Sequence, residues 1–231
     1  KPSPQANSPK FTDRTRNRQR KKEVTHRTCA APVGLNNDLS SAEAYAGTFA
    51  LAKPDGGIDQ NKHADRGPDK LGLFGTYELV EWMPLADLCS WQIGGPARYS
   101  VEVKDEETLL AVMRYAKEQD LDVIVVGKGS NCLFDDRGFD GLVIVNKIMF
   151  VEELEGDLAG CFRVGGGMPF DRFGWHTARK NYSGLEFATG IPGTVGGAVY
   201  MNAGANGQEA WRCLESVEYV TQDGERRELR K

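Results

Sequence analysis

Hydrophobic and polar positions change their period twice between residues 98 and 126. Residues 98–104 alternate between polar and apolar types, which is typical of a strand with one buried face. Asp105 follows and predicts a helix N-cap, with Glu106 and Glu107 in the first turn, where the helix dipole favours acidic groups. Apolar residues then recur at helical spacing, at Leu109, Val112, Met113 and Ala116. Residues 121–126 form a β-branched run, so the pattern predicts strand, helix and buried strand in succession.

The following segments predict further strands and one more helix. Residues 142–146 form a strand pattern, 149–154 and 161–164 form weaker ones, and 169–180 have a partly apolar helical pattern. Residues 214–221 alternate, and Asp223-Gly224 after them is typical of a hairpin turn. We therefore expect a returning strand from Glu225 onward.

Residues 1–75 differ in composition from the rest of the chain. They are rich in Ser, Pro, Asn, Lys and Arg and show no sustained period, so we expect a mostly disordered extension before a folded domain at 76–231. Residues 11–22 are basic and nearly free of acidic side chains. An organelle transit peptide, a basic arm that contacts nucleic acid or membrane, and a solvated linker all fit this pattern.

Charge and cysteine usage exclude several classes of protein. The net charge is −4 although the first 28 residues are strongly basic, so the folded part is acidic and we expect no nucleic-acid binding by it. The five cysteines are scattered, which favours free thiols over a disulfide scaffold. The three histidines have no ligand spacing, and no apolar run is long enough to span a bilayer. We therefore expect no metal site and no membrane partner.

A glycine-rich segment, V-V-G-K-G-S-N at 125–131, directly follows the predicted strand. Glycine lets backbone N–H groups approach a charged ligand, and successive N–H groups in such a turn form a concavity for anions such as pyrophosphate. Ser130 and Asn131 add donors, and Lys128 adds charge. The spacing matches neither G-x-x-x-x-G-K-[ST] nor G-x-G-x-x-G. An ordinary tight turn remains an alternative.

A second segment, G-I-P-G-T-V-G-G-A-V-Y-M-N-A-G-A at 190–205, is also rich in small residues. Pro192 predicts the first turn of a helix. The glycines after it would weaken a free helix by up to ~1 kcal/mol each, which is tolerated when a flavin or another helix packs against the bare backbone. Two such segments in one domain predict a dinucleotide held between them.

Three other residues leave alternatives open. Trp91, at the start of the folded part, can stack on a ligand but is more typical of a core position. Glu186 can cap a helix or contact a ribose. Cys132 lies in an apolar patch, which favours a packing role.

These two segments, with W-Q-I-G-G-P-A at 91–97 and R-V-G-G-G at 163–167, resemble the UDP-N-acetylenolpyruvoylglucosamine reductase family. The resemblance covers residues 87–231, and the G-K-G-S-N-C-L-F-D-D form is closest to plant-lineage and chlamydial members. It implies an α+β, FAD-binding domain of the vanillyl-alcohol oxidase and p-cresol methylhydroxylase type. In that family non-covalent FAD is reduced by NADPH and passes hydride to the enolpyruvyl group of a UDP-sugar, which gives UDP-N-acetylmuramate for peptidoglycan.

The resemblance also implies the residues that hold the cofactor. The 127–131 loop would bind the FAD pyrophosphate, and residues 190–197 and 202–205 would line the rest of the flavin. The expected cofactor-binding residues are Gly127, Lys128, Gly129, Ser130, Asn131, Gly190, Ile191, Pro192, Gly193, Val195, Gly196, Gly197, Asn202, Gly204 and Ala205.

The catalytic groups of the family have no match in the chain. They are an Arg in a Tyr-Arg pair, a Ser in a Gly-Ser-Phe-Phe-like segment and a late Glu, all expected beyond Lys231. We therefore expect residues 1–231 to bind flavin without full turnover. A flavin-dependent sugar or alcohol oxidase and a non-catalytic flavin or nucleotide sensor are the alternatives. The basic start and the plant-like motif predict a plastid stroma protein, and a cytoplasmic one otherwise.

Overall fold

The computed structural model describes residues 22–23, 25–29, 69–74 and 77–231, the first three ranges as backbone only. These residues form fourteen strands: β1 (Lys22–Glu23), β2 (Thr25–Cys29), β3 (Asp69–Phe74), β4 (Tyr77–Pro84), β5 (Pro96–Val103), β6 (Val123–Val126), β7 (Phe139–Asn146), β8 (Val151–Glu153), β9 (Cys161–Gly165), β10 (Tyr182–Ser183), β11 (Gly204–Ala205), β12 (Gln208–Glu209), β13 (Leu214–Val220) and β14 (Arg226–Arg230). The helices of the same residues are α1 (Glu106–Glu118), α2 (Phe170–Arg179) and α3 (Val195–Tyr200). Short 3-10 turns cover Leu85–Leu88, Gly156–Leu158, Glu186–Gly190 and Ala210–Cys213.

The first sheet has the strand order β3-β4-β5-β7-β6. Strands β5, β7 and β6 run parallel, β4 pairs antiparallel with β5, and β3 pairs antiparallel with β4. Helix α1 crosses from β5 to β6 and buries the apolar stripe that its period predicts against Val101, Val103, Leu142 and Ile144. A second apolar cluster, with Leu85, Val126, Phe134, Val143 and Val145 among its members, also packs on this sheet. The predicted strand, helix and strand are thus confirmed.

Asp105 begins α1 as the sequence predicts. Its Oδ1 accepts a hydrogen bond from the Thr108 backbone N at 2.7 Å, and its Oδ2 accepts one from the Thr108 hydroxyl at 3.0 Å. The carboxylate therefore satisfies one of the backbone donors that a helix start leaves open.

The second sheet has the order β14-β13-β2-β9-β8. Strand β2 lies between β13 and β9 and is parallel to both. Helices α2 and α3 cover one apolar face, where the Phe162 ring meets Phe173 and Tyr182 edge to face at centroid distances of 6.0 and 5.2 Å. The predicted strands at 161–164 and 214–221, the helix at 169–180 and the Asp223-Gly224 hairpin are all confirmed.

Strands β1, β2 and β3 fall within residues 1–75, where the sequence has no sustained period. Each pairs with strands from the following part of the chain. Strand β1 pairs with β10, β2 pairs with both β9 and β13, and β3 pairs with β4. Neighbouring strands supply the backbone partners, so pairing here needs no hydrophobic alternation. The other residues of this segment, including most of the basic stretch at 11–22, lie outside the described residues.

Two local expectations are wrong. Helix α3 begins at Val195 after the N-cap Thr194, so Pro192 precedes the helix and is not in its first turn. Trp91 is 66% exposed instead of buried, because it lies at the tip of a turn in which Gln92 donates its backbone N–H to the Cys89 carbonyl oxygen at 3.2 Å.

The Asp105 cap gives a test of the fold. We expect Asp105→Ala to lower the free energy of unfolding by about 1 kcal/mol, because the Thr108 N–H loses its acceptor. Asp87→Ala, which removes an exposed carboxylate, should change it by less than about 0.5 kcal/mol. Chemical denaturation of both variants measures the difference, and equal losses would show that the cap contributes nothing.

Candidate functional site

Strand β6 carries residues 127–131 to the carboxyl edge of the first sheet. In open α/β sheets this edge, where parallel strands end, is the usual place for a ligand. Gly129 has a left-handed φ of +63°. Its carbonyl oxygen accepts hydrogen bonds from the backbone N of Ser90 at 3.1 Å and of Cys132 at 3.4 Å. The hydrogen bond from Ser90 thus fixes the loop to the 88–90 segment.

Gly129 is required by its packing as well as by its backbone angle. A Cβ added there would lie 1.7 Å from the Leu88 carbonyl oxygen and 2.7 Å from the Cys89 Cα. Any larger residue would push the loop away from the 88–90 segment, so the glycine fixes the position of the loop.

The other side of this loop presents open backbone donors. The N–H groups of Lys128, Gly129, Ser130 and Asn131 donate to no acceptor within the part of the chain that the structure describes. Adjacent N–H groups in a turn with a left-handed glycine form a concavity suited to an anion. The Lys128 side chain is exposed beside it and adds positive charge.

The 190–197 segment lies directly against this loop. A Cβ added to Gly127 would lie 2.4 Å from the Thr194 Oγ1, and one added to Gly193 would lie 3.8 Å from the Ser130 Oγ. The two glycine-rich segments, about sixty residues apart in sequence, therefore form the two sides of one cleft, which we call the loop cleft.

Helix α3 contributes a wall to the loop cleft instead of anion donors. The Val195 N donates to the Met168 carbonyl oxygen at 2.8 Å, and the Gly196 N donates to the Gly166 carbonyl oxygen at 2.8 Å. The Gly197 N donates to the Thr194 Oγ1 at 3.3 Å. Since its first-turn donors are already engaged, an anion would bind at the 127–131 loop.

Open space adjoins two glycines of this wall. A Cβ on Gly190 would meet no heavy atom of the described residues within 4 Å, and one on Gly193 would meet only the Ser130 Oγ. Ile191 is half-buried and Pro192 is exposed beside them. A planar ligand can therefore approach the backbone here.

Packing within the protein itself explains the small residues at 202–205. Asn206 and Gly207 have φ values of 55° and 77° and form the tight turn of the hairpin between β11 and β12. A Cβ on Gly204 would lie 2.6 Å from the Gln208 carbonyl oxygen. Asn206-Gly207 is a hairpin signal that sequence reasoning missed.

The Asn202 side chain is already engaged by its own loop. Its Oδ1 accepts from the Trp211 backbone N at 3.1 Å, and its Nδ2 donates to the Glu209 Oε2 at 3.3 Å. Glu209 Oε2 also accepts from the Trp211 indole N–H at 2.7 Å. A ligand at 202–205 would therefore meet backbone and the Ala205 side chain.

Three contributors to the loop cleft were missed from the sequence. Thr194 lies at its centre and could have been found, because a Thr before an apolar helix start is an N-cap signal. The Gly166 carbonyl oxygen, which holds α3, and the 88–90 segment behind Gly129 have no local signal. Their roles depend on contacts between distant parts of the chain.

The remaining titratable candidates have local roles. Burial raises the pKa of the Cys132 thiol, which fits its packing against an apolar cluster. Glu186 Oε2 accepts from the Gly184 backbone N at 2.8 Å, so this carboxylate caps its own turn. Burial lowers the pKa of His176, whose ring lies 6.1 Å from that of Phe162.

Two negative findings apply to the described ranges. Their His, Cys, Asp and Glu side chains form no group of three or more that could hold a metal ion. Among their helices, none has the length and apolar character needed to cross a membrane.

Known proteins with similar sequences include reductases of one kind. The chain is 47% identical over 140 residues to UDP-N-acetylenolpyruvoylglucosamine reductase of Protochlamydia amoebophila, a match that covers 61% of this chain and 46% of the relative. The enzyme of the same name from Chlamydia trachomatis serovar A is 43% identical over 148 residues, or 64% of this chain and 50% of the relative. The chain thus spans about half the length of these relatives.

A solved structure gives the same result. The crystal structure of UDP-N-acetylenolpyruvylglucosamine reductase (MurB) from Thermus caldophilus superposes with a TM-score of 0.53 at 32% sequence identity, over 67% of this chain and 52% of that one. The α+β fold that the motifs imply is confirmed. Residues 97–230, more than half of the chain, match the FAD binding domain family. They include both sides of the loop cleft, and the chain therefore belongs to the FAD binding domain family.

Proposed function

We propose that the chain holds FAD in the loop cleft, as the cofactor-binding part of a reductase that uses NADPH to convert UDP-N-acetylglucosamine enolpyruvate to UDP-N-acetylmuramate. The observation that carries the proposal is the set of open N–H groups at 128–131, in a loop whose Ser130 side chain lies beside Gly193 of the other glycine-rich segment. The reductases that this chain resembles at 43–47% identity support the choice of reaction.

The residues of the loop cleft fit the parts of FAD. A pyrophosphate needs several donors close together, and the backbone of 128–131 with the Ser130 hydroxyl supplies them without a metal ion. An isoalloxazine ring needs a flat, uncluttered wall, and the open space at Gly190 and Gly193 gives one. Ile191 supplies an apolar edge, while Val195 is buried beneath and supports the wall.

FAD, when bound, would supply the hydride carrier for the reduction. This chain's part in that chemistry is to hold and orient the cofactor. The 127–131 loop anchors the charged middle of the molecule, and its rigid backing by Leu88 and Ser90 fixes where the anchor lies. Preorganised donors of this kind bind an anion without reorganising.

FAD binding by the described chain is the first test of the proposal. We expect purified residues 1–231 to bind FAD with a shifted and structured flavin absorption band, because the cleft removes the ring from water. Acid precipitation should release the flavin into the supernatant, because the contacts proposed for it in the loop cleft are all non-covalent. Absence of any shift up to millimolar FAD would refute the proposal, and flavin retained in the precipitate would favour a covalent oxidase.

Gly190 offers a sharper test of where the ring lies. Gly190→Ala should leave the free energy of unfolding within about 0.5 kcal/mol of the parent, because its added Cβ meets open space in the free protein. FAD affinity should fall about tenfold, equivalent to about 1.4 kcal/mol, and fall further for Gly190→Leu. Titration of both variants against the parent measures this. Equal affinity in all three would place the ring elsewhere.

We also propose that the segment at 1–75 carries an organelle-targeting signal. The basic composition of residues 11–22 and the similarity to chlamydial relatives support a plastid destination. A fluorescent protein fused after residue 75 should enter plastids in plant cells. The same fusion with every Lys and Arg of 11–22 changed to Gln should stay in the cytosol. Cytosolic fluorescence from the unaltered fusion would contradict the proposal.

A further inference from the structure

Four charged side chains form a closed ring between the two sheets. Arg163 on β9 lies 3.2 Å from Glu218 on β13, and Glu218 lies 2.9 Å from Arg226 on β14. Arg226 lies 3.3 Å from Glu106 in the first turn of α1, and Glu106 lies 3.8 Å from Arg163, which closes the circuit. We call this set of four residues the charge ring.

The charge ring joins elements that belong to different halves of the fold. Glu106 is on α1, which packs on the first sheet, whereas the other three members of the charge ring are on strands of the second sheet. The other end of α1 is tied to the same hairpin, since Lys117 Nζ lies 2.7 Å from Asp223 Oδ1. Val220 of β13 also packs into the apolar cluster of α1. Both ends of helix α1 thus contact the β13–β14 hairpin near its turn.

The elements that the ring joins lead into the two sides of the loop cleft. Helix α1 is followed by β6, which ends at Val126 and continues into the 127–131 loop. Strand β9, which carries Arg163, continues to Gly166, whose carbonyl oxygen holds the Gly196 N–H of α3 at 2.8 Å. A change in the distance between α1 and β9 would therefore change the distance between the two cleft walls.

We propose that the charge ring sets the separation of the two cleft walls, so that its four members are positioning residues for the cofactor although other residues line the cleft. This inference rests on FAD binding in the loop cleft. The guanidinium of Arg226 bridges two carboxylates through different nitrogens, which fixes α1 relative to β13 in direction as well as in distance.

Two members of the charge ring are shielded from water, whereas the Arg226 side chain is 50% exposed and that of Glu106 is 31% exposed. The Glu218 side chain is only 14% exposed and that of Arg163 is 27% exposed, so water competes weakly for them. The Arg163 guanidinium also stacks on the Phe150 ring at 5.0 Å, which restricts its orientation. Removal of one member leaves an opposite charge partly buried without its full complement.

Adjacent glutamates of α1 provide a matched pair of variants. Glu106 and Glu107 both lie in the first turn and interact equally with the helix dipole, but Glu107 makes no ion pair with any described residue. We expect Glu106→Gln to weaken FAD binding about tenfold, within the usual range for coupled sites, and Glu107→Gln to leave the affinity within twofold. Flavin titration at 50 mM and at 1 M NaCl measures both.

The salt dependence of FAD affinity distinguishes a positioning role from a general loss of stability. High salt screens the more exposed pair, Arg226 with Glu106, so the parent and Glu107→Gln should lose FAD affinity between the two salt concentrations. Glu106→Gln has already lost its part of the ring and should show a clearly smaller salt dependence. Unfolding curves at each salt concentration confirm that every variant is folded during the titration.

Arg226 and Arg227 give an independent pair in the same strand. Arg227 pairs with Glu225 at 3.0 Å on the exposed hairpin, so Arg227→Gln is the control for Arg226→Gln. Arg226→Lys, which keeps the charge but cannot bridge both carboxylates equally well, should bind FAD with intermediate affinity. If Glu106→Gln does not fold, the Arg226 and Arg227 variants test the proposal in its place.

The outcomes distinguish this proposal from the one on which it rests. If the parent chain binds no FAD, the loop cleft is not the cofactor site. If the parent binds FAD and Glu106→Gln and Arg226→Gln bind it with the same affinity and salt dependence, the charge ring does not position the cleft. Weaker FAD binding in both variants, with unchanged FAD binding in the controls, supports the positioning role of the charge ring.

Discussion

The close backbone contact between Gly165 to Gly167 and the end of β7 determines how the two sheets meet. A Cβ on Gly165 would lie 2.3 Å from the Ile148 carbonyl oxygen, and one on Gly167 would lie 2.6 Å from the Ile148 N. The Gly167 N donates to the Ile148 carbonyl oxygen at 2.9 Å. Because only glycine permits this approach, the contact brings β9, and with it the support of α3, next to the carboxyl edge of the first sheet.

The elements that the sequence predicts well are those whose signals are local. Asp105 and the apolar stripe of α1 predict that helix and its cap, and Asp223-Gly224 predicts the last hairpin. The order of strands is not predictable in this way. Strand β2 enters between β13 and β9 through backbone pairing over more than a hundred residues, and backbone hydrogen bonds leave no pattern of side chains in the sequence.

Glycine-rich sequence predicts the place of the candidate site but not the role of each glycine. The 127–131 loop presents open donors, as its composition suggests, yet Gly127 and Gly129 are required by contacts with Thr194 and Leu88. In α3 the donors are engaged by Met168 and Gly166, so small residues there leave room for a ligand without binding an anion. One motif type thus serves two functions, and only tertiary contacts distinguish them.

The start of α1 shows how neighbouring residues divide local and long-range tasks. Asp105 gives its carboxylate to Thr108 and so completes the helix internally. The next residue, Glu106, takes no part in this cap and extends instead to Arg226 and Arg163. Loss of the cap would fray the turn from which Glu106 projects. In the positioning role that we propose for the charge ring, the separation of the cleft walls therefore also depends on a local helix signal that the sequence already shows.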